Sequence, residues 1–247
     1  MKISKHILVI TLLLFFYTLN GFTQTQTTNE TLSTQETILN GNTDSQNDTA
    51  ETQINIPANT KIKKDALKLY SSGKYKESIQ VCQEEIQEDS QHIDSYVVMC
   101  WSLLANKEYS EAEYWATEAL KISKYDQRVI ESLAEAKYYL GKNDESLKLF
   151  QEYISLVPVN GSHIGDAYYF MGEIYIRKGM YDHADISFSH SVRTDPLYDY
   201  WWTRLGYARE MAGYYSSSLA AYEKALQLNS AQPDAIRGIN RVKSKLQ

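Results

Sequence analysis

From about residue 60 onward, apolar residues recur every three to four positions, the period of a helix with one buried face. Short polar breaks interrupt these stretches at a fixed interval. The breaks hold a glycine, usually followed by an aromatic: Gly73-Lys-Tyr75, Gly141-Lys-Asn143, Gly179-Met-Tyr181 and Gly213-Tyr-Tyr215. Lys107-Glu-Tyr109 fits the register without the glycine. Successive breaks lie 34, 34, 38 and 34 residues apart, and the 38 reads as one unit plus an insertion, Gly161 to Ile164. A period of this length is the mark of a stacked repeat. Because each break separates two periodic stretches, each unit is predicted to be a helix pair. The units fall at 59–92, 93–126, 127–160, 165–198 and 199–232. Residues 233–247 read as one more helix, with an apolar stripe of Ile236, Ile239, Val242 and Leu246 that caps the last unit.

Two registers explain why the pairs close. Seven residues before each turn position stand Ala66, Cys100, Ala134, Gly172 and Gly206; five after it stand Ser78, Ala112, Ser146, Ala184 and Ser218. All are small, as a close helix crossing demands. Large residues fill the spaces around them. Tyr96, Ile130, Tyr168 and Trp202 form one column in the first helices, and Phe150, Phe188 and Tyr222 form another in the second. Pro158 and Pro196 stop the second helices of units three and four.

These positions resemble the tetratricopeptide repeat, with a bulky early residue, a Leu-Gly pair, a tyrosine, an alanine, an aromatic and a closing proline. Unit four matches best, through Tyr168, Met171-Gly172, Tyr175, Ala184, Phe188 and Pro196. Unit five is close, with Trp202, Leu205-Gly206, Tyr222 and Ala225. Unit one departs from the pattern at Asp65 and Glu85, and unit three puts Lys137 where an aromatic belongs. The resemblance implies an all-α, right-handed α-solenoid of five helix pairs plus a capping helix, whose first helices line a concave groove. It also implies which side chains face that groove. They are Lys63, Leu67 and Tyr70; Val97, Trp101 and Leu104; Glu131, Glu135 and Tyr138; Tyr169, Glu173 and Arg177; and Thr203, Tyr207 and Glu210. Some family members grip a partner's C-terminal carboxylate with basic residues here. Only Lys63 and Arg177 are basic in this set, so a carboxylate clamp is not expected. Apolar surface in units one and two, then acid with tyrosine, suits a protein or peptide segment with apolar residues and a basic stretch. Trp101 is the side chain most in need of a partner.

The first 58 residues have a different character. Lys2 and Lys5 precede an apolar run, Ile7 to Tyr17, and Gly21 and Thr23 supply small residues for cleavage near Thr23. This reads as a bacterial export signal, or as an uncleaved anchor if Leu19 and Phe22 extend the run; contact with a membrane is expected only in the second case. Residues 24–58 are rich in Thr, Gln, Asn and Ser without period, and read as a disordered linker. Asn29, Asn47 and Asn160 begin glycosylation-type triplets that mean nothing in a bacterium.

Charge and chemistry then narrow the function. The formal net charge is −6, and −8 once Lys2 and Lys5 are removed, which argues against nucleic acid as a partner. Cys82 and Cys100 read as buried thiols, with a disulfide as the alternative in an oxidising compartment. His183 and His190 lie two helical turns apart, too far for one metal ion. No phosphate loop, nucleophile elbow or zinc-protease motif occurs. No catalytic residue, cofactor or metal is expected. The leading expectation is a non-catalytic protein-interaction scaffold of the bacterial periplasm or cell envelope; a small-ligand or transport accessory protein around Trp101 and Tyr138, or a part of outer-membrane assembly, are the alternatives.

Overall fold

A computed structural model of the protein describes residues 64–158 and 161–247. The expected signal, the linker, Lys63 and the Asn160 triplet lie outside the described residues, in whole or in part.

The described residues form eleven helices and no strand. They are α1 Ala66–Ser71, α2 Tyr75–Glu88, α3 Ile93–Ala105, α4 Tyr109–Ile122, α5 Gln127–Tyr139 and α6 Asn143–Leu156. Then follow α7 Ile164–Arg177, α8 Tyr181–Thr194, α9 Asp199–Met211, α10 Tyr215–Leu228 and α11 Pro233–Leu246. Consecutive helices pack as antiparallel pairs. The first helices also touch one another, α1 on α3, α3 on α5 and α5 on α7, and α9 meets α11.

The five turns share one geometry. Gly73, Gly141, Gly179 and Gly213 take φ between 68° and 84°, and Lys107 takes 66° in the same place. The next residue's N–H reaches back to a carbonyl five residues earlier, as from Lys74 to Leu69 at 2.9 Å and from Tyr214 to Arg209 at 2.8 Å. That bond closes the first helix while the same residue starts the second. Lys107 obeys the backbone plan although its side chain disfavours it.

At the crossings the ten small residues are buried. Three serines do more than fit. Ser78, Ser146 and Ser218 donate to the carbonyls of Ala66, Ala134 and Gly206 at 2.7–2.8 Å, tying each second helix to its first. The glycines have a separate use, because a Cβ on Gly172 would lie 2.6 Å from the Phe188 ring. Tyr222 is flanked on two sides: a Cβ on Gly206 would lie 2.6 Å from its ring and one on Gly238 2.2 Å. Each of these two second-helix aromatics therefore sits on backbone.

The structure explains two of the sequence readings and corrects a third. The insertion runs into α7, whose first residue Ile164 is buried and makes this helix one residue longer than α3, α5 and α9; the bend is made at His163, with φ 63°. Asp65 breaks the repeat pattern because it has another task, accepting the Lys68 N–H at 3.0 Å to cap α1. In α11 the buried face is Ala235, Gly238 and Val242, while Ile236 and Leu246 are 41% and 46% exposed. Seating Gly238 on Tyr222 turns the helix away from the stripe that side-chain hydropathy suggests.

Candidate functional site

The side chains assigned to the groove divide into three groups in the structure. Leu67, Trp101 and Glu135 stand at equivalent places, six residues before their turns, on neighbouring first helices. Leu67 is 48% exposed, and Trp101 is half-buried with its ring 5.9 Å from Tyr70. Leu104 is half-buried beside them. Glu131 is likewise half-buried and accepts from His163 Nδ1 at 2.9 Å. These residues line one face of units one to three.

Val97, Thr203 and Tyr138 are buried and offer no free surface. Val97 belongs to the core because α3 is covered on nearly every side. Tyr138 lies under the Arg177 guanidinium, which stands 3.7 Å from its ring centre and donates to its carbonyl at 2.9 Å. Arg177 is thereby an internal brace. Tyr169 packs in an aromatic cluster with Phe170, Phe188 and Trp201.

The expectation that units three to five all present acid is corrected by the remaining two. Glu173 is held by Arg204, with Nη2 to Oε2 at 3.0 Å, and Tyr207 flanks the same guanidinium at 5.1 Å. Glu210 is bound twice by Arg241, at 2.6 and 2.7 Å, and accepts from the Tyr222 hydroxyl at 2.7 Å. Burial, the largest single influence on the Glu210 carboxyl, is outweighed by Arg241 and the phenol together, which hold it below the usual carboxylate range. Both acids stabilise the stack and have no charge to spare.

The acids that no arginine or lysine claims thus gather at the junction of units three and four. Glu131, Glu135 and Asp166 converge there with His163. Burial first, then the Glu131 charge and that of Asp166, push the Glu135 carboxyl up to about 8. Burial pushes Asp166 up to about 6, against the pull of His163. The hydrogen bond to Glu131 raises His163 to about 9. Burial raises the phenols of Tyr70, Tyr109 and Tyr139, and all three lie close enough for the Glu135 charge to raise them further. Sequence reasoning passed over Tyr139, His163 and Asp166 and saw Tyr109 only as a turn marker. Tyr109 and Tyr139 stand at the two ends of helices, His163 lies within the insertion that breaks the register, and Asp166 follows it closely.

Other chemistry is sparse. Among the described residues no group of three or more His, Cys, Asp or Glu is placed to hold a metal ion. His190 instead stacks on Tyr168 at 4.6 Å. Both cysteines are free and buried, and burial pushes the Cys82 thiol up to about 12. No helix among the described residues is long and apolar enough to cross a membrane.

Paired helices at a 34-residue period, with each pair resting on the next, define an α-solenoid. Residues 165–196, which span α7 and α8, match the family model of the tetratricopeptide repeat. Solved structures share the fold. MamA from Desulfovibrio magneticus RS-1 is 14% identical over 68% of this chain and 93% of its own, with a TM-score of 0.60. YrrB, described as a TPR protein with an unusual peptide-binding site, is 17% identical over 70% and 87%, with 0.58. The thermophilic TPR protein TTC0263 of Thermus thermophilus is 17% identical over 73% and 95%, with 0.53. Residues 165–196 are thus a tetratricopeptide repeat, and the stack of helix pairs around them has the fold of tetratricopeptide-repeat proteins. No curated protein matches the sequence.

Proposed function

We propose that the protein is a non-catalytic interaction module, which docks an extended polypeptide segment on the first-helix face of units one to three. One observation carries the reading. Leu67, the Tyr70–Trp101 pair and the acidic junction around Glu135 follow one another along neighbouring first helices. Apolar and aromatic anchors beside a carboxyl that no arginine or lysine claims suit a partner with apolar residues and a basic stretch. The resemblance in fold to YrrB, a TPR protein with a peptide-binding site, lends support. Export to a bacterial cell envelope is proposed with it, from Lys2, Lys5, the Ile7–Tyr17 run and the small residues Gly21 and Thr23.

The test places a photo-crosslinking amino acid at Leu67 or, as the control, at Ile186 on α8, which is 60% exposed. Both variants are expressed in full-length protein in the native host. Docking on the first helices requires a discrete adduct from position 67 that is absent from position 186. Adducts from 186 alone would move the site to the second helices and sink the reading. N-terminal sequencing of the cell-derived protein checks export, and a start near Gln24 is the expected result.

A further inference from the structure

Two glutamates occupy the same place in successive units and meet different fates. Glu135 and Glu173 each stand six residues before their turn glycine, Gly141 and Gly179. Glu173 is neutralised by Arg204, which stands nine residues before the next turn glycine, Gly213. The residue nine before Gly179, where a cation for Glu135 would come from, is Phe170. Its ring lies flat on Phe150 at 5.3 Å and offers no charge. Among the described residues, no hydrogen bond or ion pair reaches the Glu135 carboxyl.

We propose that Glu135 is the receptor for a cationic side chain of the docked segment, the ammonium of a lysine or the guanidinium of an arginine, in the role that Arg204 plays for Glu173. This rests on the docking reading above and names the chemistry it recognises. Three phenols, Tyr70 from α1, Tyr109 from α4 and Tyr139 from α5, lie within electrostatic reach of the acid. Tyr109 and Tyr139 stack at 4.4 Å, and Tyr139 is 45% exposed, so part of this aromatic pair is open to solvent. A cation held over such faces gains from the ring quadrupole as well as from the acid. The carboxyl sits deep in this crowd, yet the residue keeps some contact with solvent, as a binding group must.

The groups facing Glu135 set the pH dependence. Glu131 on its own helix and Asp166 on α7 repel its charge, His163 at the start of α7 attracts it, and the three phenols stay neutral below the alkaline range. With its midpoint near 8, Glu135 is mostly protonated at neutral pH and must ionise to hold a cation. Binding therefore releases a proton, and affinity rises as pH rises from 6.5 to 8.5. Asp166, at about 6, shapes only the acid end, and His163, at about 9, only the alkaline end.

The experiment uses full-length protein with 13C-labelled glutamate and two probes, butylammonium and ethylguanidinium, with neutral butyramide as control. One carboxyl resonance should titrate near 8, shift to lower pH with either cation, and ignore butyramide. Glu135→Gln should remove that resonance and weaken cation binding at pH 8 by roughly tenfold or more, the value of one charge-assisted contact. Phe170→Arg, which supplies the missing internal cation, should also abolish both. Should its loss of stacking prevent folding, the Glu135→Gln comparison decides alone. A Glu135 midpoint in the ordinary carboxylate range, or equal cation binding in Glu135→Gln, overturns the inference. If the Leu67 crosslink survives unchanged in Glu135→Gln, this inference fails while the docking reading stands. Cation binding at Glu135 with no Leu67 crosslink has the opposite meaning: the acid takes a cation, and the docking reading fails.

Discussion

Tyr222 offers the sharpest test of how the stack is held together. Its ring is almost fully buried at the junction of α9, α10 and α11, with Gly206 on one side and Gly238 on the other. Adding a methyl at Gly206 brings Cβ to 2.6 Å from the ring, and at Gly238 to 2.2 Å, inside the distance at which something must move. Overpacking of this kind costs about 1–3 kcal/mol, whereas alanine gains about 1 kcal/mol over glycine in helix propensity. Gly206→Ala should therefore lose about 1 kcal/mol, and Gly238→Ala about 2 kcal/mol. Tyr222→Leu removes the ring edge along with the hydroxyl bond to Glu210, so it is destabilising alone. In that background Gly206→Ala should become neutral or stabilising, which gives a coupling of at least about 1 kcal/mol. Urea unfolding followed by far-UV circular dichroism measures this. Tryptophan fluorescence from Trp202, which packs on the same cluster, reports whether the C-terminal units melt first. If Gly206→Ala stabilises the wild-type background by the full propensity gain, the ring does not rest on the backbone and the reasoning is refuted.

Three further outcomes are expected. Lys107→Gly relieves a left-handed non-glycine residue and should raise stability by about 0.5–1 kcal/mol in the same urea assay; Gly141→Ala, at φ 75° with open space around it, should lower it by a similar amount. Arg204→Met strands Glu173, whose side chain is only 12% exposed, and should cost about 1–3 kcal/mol, less than a fully buried pair because Arg204 keeps some solvent. Adding Glu173→Gln should recover most of that loss, and failure to recover it would show that the arginine acts through packing. Cys82 and Cys100 should resist a thiol reagent at pH 8 in the native protein and both react in denaturing urea, since burial disfavours each thiolate. A native mass two hydrogens short, restored by reductant, would show a disulfide instead.

The repeat was legible in the chain because its requirements are local and recur. A left-handed turn favours glycine, a close crossing requires a small residue, and a covered backbone patch takes an aromatic. Ala66, Ser78, Gly172, Phe188 and Tyr222 therefore declare themselves by spacing alone. The same register sets Leu67, Trp101 and Glu135 at equivalent positions of successive first helices. What spacing could not show was which charges remain unspent. Glu135 and Glu173 are the same residue at the same place, and only the neighbour contributed by the next unit, Phe170 or Arg204, separates a free acid from a neutralised one. Glu210 is claimed by Arg241 from the capping helix in the same way. The His163 bend, which brings that ring onto Glu131, lies where the period is broken. Backbone plan depends on each residue's own conformational and steric needs, so sequence alone determined it. Charge pairing depends on the reach of side chains across a packed interface, so only the tertiary structure decided it.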